Sequence, residues 1–472
     1  MPAGSAQPNV PGRGIVAGYG LRFWSLVGLV GVGAGLGGAL LIELLHVVQH
    51  VAWSYDHGDF LDGVKRTSSA HRVLVLAAAG LLAGAGALGL ARLGDGGEIS
   101  EAIWLRAGRV PLLPSVARAV QAIVLVALGA SLGREAAPQQ VGAGLASTLG
   151  EWAGLPAWQR RLLVASGAGA GMAAVYNVPL GGALFALEVL LGTLTLPLVL
   201  PALATTLIAT AVAWIALPDR PTYAIPTYPL RGSLVVWAIL LGPIAGLVAV
   251  GFVRMIALAH RLRPTGRPAA RLLAPLIVFT TLGVLAIAYP QLLGNGRNVV
   301  ALALVGQIGV GLLAALLVLK PLATAACLGS GAPGGLFTPT LALGVLLGGL
   351  LGRGWAEIWP GAPLGAYAVI GGAAVLGAAM QGPLAAVVLL LELTHHADAL
   401  MVPILIAVVE ATVVTRLLGA PSIYSARISA PVAASGPGGA ADPESVDWVA
   451  ETQTPGDLLP NSIRASGPGP PA

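Results

Sequence analysis

Two stretches of this chain carry residues whose types and spacing could do chemistry. The first is "GREAAPQQVG" (133–142), where Arg134 and Glu135 are the only charges between Arg118 and Glu151. The flanks are mostly Ala, Gly, Leu and Val. Holding a carboxylate among such neighbours costs about 2.5–3.5 kcal/mol even on the lenient scale of membrane insertion. Adjacent residues on a helix do not face one another, which weakens a direct Arg134–Glu135 pair at a wet helix end. Glu135 better fits a carboxylate in an ion pathway, at the mouth of a helix whose free amides attract negative charge. There it competes with a permeant anion for one site. The second stretch is "GSGAPGGLFTPTLALG" (329–344). Four Gly and two Pro between Gly329 and Pro339 rule out continuous helix. A glycine-rich segment opening a helix presents unpaired backbone N–H groups, which bind a small anion without holding it too tightly for conduction.

Elements that position such groups must suit their solvent, and composition names it. Of 472 residues, 56% are hydrophobic and 10% charged, against about 25% charged in soluble domains. Apolar runs near the length of a spanning helix recur, as at Leu26–Ile42, Val73–Ala91, Leu234–Val253 and Leu272–Tyr289. The first lacks the short apolar core and cleavage site of a removable signal, so it reads as mature protein. The net charge of +5 is scattered at segment ends, which fits membrane orientation and argues against nucleic acid. The cluster Arg254, Arg261, Arg263, Arg267 and Arg271 belongs in the cytoplasm by the positive-inside rule, with Arg160–Arg161 and the N-terminal arm beside it. The lone Cys327 excludes a disulfide framework within one chain. The sequence therefore predicts an all-α, multi-pass protein of the cell membrane, embedded in a lipid bilayer, with both termini cytoplasmic. A polar arm (1–13) and a Pro/Gly-rich tail (431–472) have the composition of disordered segments.

The membrane domain, 14–430, repeats itself. "NVPLGGALFALEV" (177–189) parallels "QGPLAAVVLLLEL" (381–393), with Pro179 and Pro383, and Glu188 and Glu392, each 204 apart. "GREAAPQQVG" parallels "GLFTPTLALG" (335–344), with Gly133 and Gly335 202 apart. Repeats at about 14–216 and 232–430 are a transporter signature, with the substrate site at their interface.

With "GREAAPQQVG", "SGAPGGLFTPTLALG", "NVPLGGALFALEV" and "GAPSIYSA" (419–426) in this order, the chain strongly resembles the CLC family of chloride channels and transporters over about 15–430. The resemblance implies a homodimer, each subunit built of two inverted repeats of tilted and broken helices around its own anion pore. It implies that Glu135, within Gly133-Arg134-Glu135, is the gating glutamate. Leu336 and Phe337, after Gly334-Gly335 and before Pro339, would offer backbone amides to a central anion, and Tyr424 its hydroxyl. Glu188 and Glu392 read as structural helix-end groups. Two departures matter. The family's serine donor is missing: Gly94 or, with a one-residue gap, Asp95 stands there, and Gly94 is favoured because an Asp would repel the anion. Ala136-Ala137 replaces the expected Gly-Pro, which bears on the geometry and mobility of Glu135.

The expected function is passive conduction of chloride or another small anion, gated by Glu135. In antiporter members a second Glu would follow Glu188, whereas this chain has Val189, which can neither bind nor release a proton. The alternative is a proton-coupled anion antiporter. An intramembrane enzyme is the remote reading. His57, His71 and His260 lie outside the motifs; Glu43, His46 and His50 share a helix face but close an apolar run, as a wet helix end does. No cofactor and no metal site are expected.

Overall fold

A backbone surrounded by lipid has no hydrogen-bond partner but itself, so apolar runs of this length close into helices. The computed structural model describes residues 19–428 apart from 57 and 95; the arm at 1–13 and the tail at 431–472 lie outside them. The first half holds α1 (Leu21–Trp53), α2 (Phe60–Arg66), α3 (Ser69–Leu93), α4 (Ile99–Leu105), α5 (Leu112–Ala127), α6 (Ala136–Trp152), α7 (Ala157–Tyr176), α8 (Pro179–Leu184) and α9 (Leu196–Ala213). The second holds α10 (Gly232–Arg261), α11 (Pro268–Ala288), α12 (Arg297–Leu304), α13 (Val310–Gly329), α14 (Phe337–Ile358), α15 (Leu364–Met380), α16 (Pro383–Thr394) and α17 (Met401–Leu417). Among the described residues, eight helices are long and apolar enough to cross a membrane. Their outer faces expose large apolar side chains such as Leu40, Leu74, Leu207 and Leu247. In water such faces would drive aggregation; in lipid they are at home.

The halves share one plan. The pairs α6–α7, α7–α9 and α1–α9 pack together, and so do their counterparts α14–α15, α15–α17 and α10–α17. Glycines set the closest approaches: a Cβ at Gly142 would strike the carbonyl of Gly167, and one at Gly344 that of Gly371. The helices α7 and α15, buried on nearly every side, form the centre of each half. Both end on a non-glycine residue in the left-handed region, Asn177 (φ 57°) and Gln381 (φ 54°), which aims the chain at the following Pro.

Reciprocal contacts tie the halves together. The Glu188 carboxylate accepts from the N–H groups of Leu384 (3.2 Å) and Ala385 (2.6 Å) at the start of α16. The Glu392 carboxylate accepts from Leu180 (3.0 Å) and Gly181 (2.6 Å) at the start of α8. Each half caps a helix of the other, as a two-fold axis between inverted repeats requires. The halves differ where α8 continues as a wider π-helical segment, Phe185–Leu191, while α16 remains regular. One expectation is weakened. Arg160 and Arg161 are buried and donate to the carbonyls of Ala107 (2.8 Å) and Ile103 (3.0 Å), so they hold α4 in place and say little about orientation.

Candidate functional site

The two glycine-rich breaks meet between the halves. Gly133 donates to the Gly335 carbonyl (2.7 Å) and Gly335 donates back to that of Gly133 (2.8 Å). A Cβ at either position would run into the carboxyl group of Glu135. Glycine on both sides therefore makes the room in which that side chain lies.

Glu135 immediately precedes α6 and is 1% exposed. Its Oε1 accepts from the N–H of Phe337 (2.7 Å), the first residue of α14, where unpaired amides carry partial positive charge. Its Oε2 accepts from the hydroxyls of Tyr176 (3.1 Å) and Thr338 (3.2 Å), which lie 2.8 Å apart. Arg134 does not pair with its neighbour. Its guanidinium lies over the Tyr176 ring, 5.0 Å from the centroid, so the two charges communicate through an aromatic ring.

Counting protons shows what this arrangement can do. Glu135 Oε2, Tyr176 Oη and Thr338 Oγ1 form a triangle of three oxygen–oxygen contacts, but two hydroxyls supply two protons. An ionised carboxylate leaves one contact unserved. A protonated carboxyl provides the third donor, so the pocket accommodates both states of Glu135.

Cavities approach from two sides. One, of about 440 Å³, is lined by Arg134, Arg220, Arg297, His46 and His50 among others. The other, of about 40 Å³, is lined by Ala136, Ala137, Gly334, Glu98, Tyr424 and Arg427 among others. Since Arg134 faces one and Ala136 the other, Glu135 stands at the divide.

Of the positions singled out in sequence, the structure gathers Gly133, Arg134, Glu135, Gly334, Gly335, Leu336, Phe337 and Pro339 at this junction, all buried. Tyr424, 6% exposed, lines the smaller cavity with a hydroxyl that has no partner among the described residues. Val189 lies half-buried in the π-helical segment, against Gly382. Gly94 is elsewhere. It is exposed, closes α3 with φ +90°, and does not line the smaller cavity. Buried contacts of that loop fall to Gly96 instead, whose carbonyl accepts from Gln140 (3.1 Å). Asp95 and His57 lie outside the described residues. The rings of His46 and His50 lie 6.5 Å apart, and no group of three His, Cys, Asp or Glu among the described residues is placed to hold a metal.

Sequence reasoning missed Tyr176, Thr338 and Arg427. Tyr176 left one trace: it ends a run of Gly, Ala, Met and Val as the only ring hydroxyl there. Glu98, in the loop before α4, pairs with Arg118 (2.8 Å) and Arg427 (3.1 Å). Burial alone would raise its pKa; Arg427 and Arg118 override this and hold it down at about 2. Glu98 thus stays ionised at working pH and does not titrate with Glu135.

Known proteins resemble this chain in sequence and in fold. The profile described as "Voltage gated chloride channel" matches residues 94–416. The voltage-gated ClC-type chloride channel ClcB of Salmonella typhimurium is 31% identical over 407 residues, covering 84% of this chain and 96% of that protein. The H(+)/Cl(-) exchange transporter ClcA of Cronobacter sakazakii is 31% identical over 313 residues, covering 63% of this chain and 65% of its own. A slow cyanobacterial Cl-/H+ antiporter of known structure superposes with a TM-score of 0.74 at 22% identity, covering 86% of this chain and 97% of that one. By fold, by the profile and by relatives aligned along most of its length, this chain belongs to the CLC family of chloride channels and transporters.

Proposed function

We propose that this protein moves a small anion, chloride foremost, across the membrane in exchange for protons, with Glu135 as the group that both blocks the anion and carries the proton. The triangle of Glu135, Tyr176 and Thr338 carries this reading. With the carboxylate ionised, it occupies the amide of Phe337 that an anion would take. With a proton bound, the charge that competes with the anion is gone while the hydroxyls remain satisfied, so protonation and anion admission become alternate occupancies of one place. The exchange transporter among the relatives supports the same reading. With the triangle, it weighs against the preference that Val189 suggests when taken alone.

Passive conduction is kept as a second reading because of that one position. Valine offers no proton station beside Glu188, and Glu188 is itself engaged by Leu384 and Ala385. The test is to impose a chloride gradient across liposomes holding the purified protein and record pH. Proton movement against its own gradient, ceasing when chloride is equalised, is the expected result; chloride flux with no proton movement would overturn exchange in favour of conduction. The family also supports a homodimer with one pathway per subunit, to be checked by the mass of the detergent-solubilised particle.

A further inference from the structure

The serine donor that the family resemblance implies is missing from this chain, and one side chain lining the smaller cavity is unaccounted for. Arg427 is 7% exposed and lines this cavity with Tyr424. One of its terminal nitrogens reaches Glu98 Oε2 at 3.1 Å. Its Nε is buried and has no partner among the described residues, and the same holds for the Tyr424 hydroxyl. The guanidinium lies 5.9 Å from the Tyr424 ring centroid. A buried donor left without an acceptor is costly, about 1–3 kcal/mol and more when charged. Both residues line one cavity of about 40 Å³, with room for a small ion and a water or two, so a single acceptor held there would serve both donors.

We propose that Arg427 is an anion-binding residue, its Nε donating with the Tyr424 hydroxyl to the transported anion in the smaller cavity, in the role left open by the absent serine hydroxyl. This rests on the anion-transport reading above and adds the residue that sets affinity and selectivity on this side. Glu98 is part of the design. By holding one edge of the guanidinium it moderates the attraction, since a bare arginine would retain an anion too firmly for turnover. A planar guanidinium also offers hydrogen bonds in fixed directions, which a hydroxyl does not, so planar oxyanions such as nitrate gain relative to spherical chloride.

Chloride and nitrate binding to the purified full-length protein, read by titration calorimetry, tests this. Arg427→Gln is expected to weaken chloride about tenfold, the value of roughly one charged hydrogen bond, and nitrate by more. Glu98→Gln breaks the same ion pair but frees Arg427, and is expected to bind both anions at least as tightly as the unaltered protein. Arg427→Gln binding within twofold of the unaltered protein would overturn the proposal. So would a loss in Glu98→Gln equal to that in Arg427→Gln, because Arg427 would then matter only for structure. Where Arg427→Gln does not fold, bromide-soaked crystals of the unaltered protein decide. An anomalous peak within about 3.5 Å of Arg427 Nε supports the assignment, and peaks confined to the Phe337 amide overturn it. An unaltered protein that binds no halide at all would instead sink the anion-transport reading beneath it.

Discussion

The two halves of this molecule pack matching helices in the same order, nine in the first and eight in the second among the described residues. Two pairs of matched positions show where the plan is kept and where it is broken. Glu188 and Glu392 are both carboxylates, and each caps a helix of the opposite half. At the other pair, counting from Gly133 and Gly335, Glu135 faces its own counterpart Phe337. One half supplies a carboxylate and the other an amide. A charge kept in both halves is spent on holding them together. A charge present in only one half has no reciprocal duty, and its amide partner can be surrendered to an anion.

Making the halves alike at the broken pair should have the largest effect. Glu135→Gln imitates the protonated side chain and is expected to abolish proton movement while chloride still flows, with the pH dependence of flux flattened. Glu135→Ala, which empties the position, is expected to do the same. Flux with the original pH profile in both variants would remove Glu135 from this role. Breaking the kept pair should cost stability and spare transport. Glu188→Ala and Glu392→Ala each forfeit two charged hydrogen bonds at a helix start, about 1–2 kcal/mol, seen as equal falls in melting temperature; a fall in only one would refute the symmetry of the caps. Smaller still is Tyr176→Phe, which removes one of the two hydroxyls from the carboxylate. A net hydrogen bond of about 1 kcal/mol translates to roughly fivefold easier release of Glu135, read as faster chloride efflux at neutral pH. Unchanged efflux would show that the Phe337 amide and the Thr338 hydroxyl set the hold without Tyr176. Smallest is Tyr424→Ala, which touches neither pair: it should change the ratio of chloride to nitrate flux about threefold, one hydrogen bond's worth at the low end, with the melting temperature preserved.

Much of this was legible in sequence because it was written in unusual residues. A carboxylate alone among apolar neighbours, glycines and prolines breaking an apolar run, and motifs spaced about 200 residues apart need no coordinates to be noticed. Tyr176 and Thr338 were not legible, because their importance lies in convergence across 162 residues of chain. Each alone is an ordinary helix-end residue. Arg427 draws no notice in the sequence, because what marks it, a buried Nε without a partner among the described residues, exists only in three dimensions. In sequence Gly94 is favoured on charge alone, and its exposure at the end of α3, away from the smaller cavity, is visible only in the structure. Val189 argued for conduction by what it lacks; the hydroxyls around Glu135 argue for exchange by what they permit.

The paired hydrogen bonds between Gly133 and Gly335 have a consequence for how the path opens. They fasten the backbone flanking Glu135 and the Phe337 amide together across the repeat boundary, main chain to main chain. On the exchange reading proposed above, this fastening points to the rotatable bonds of the Glu135 side chain, rather than a hinged loop, as the moving part. Deuterium should reveal the fastening directly. The amides of Gly133 and Gly335 should be among the last in the protein to exchange with heavy water, at the same slow rate whether chloride is present or absent.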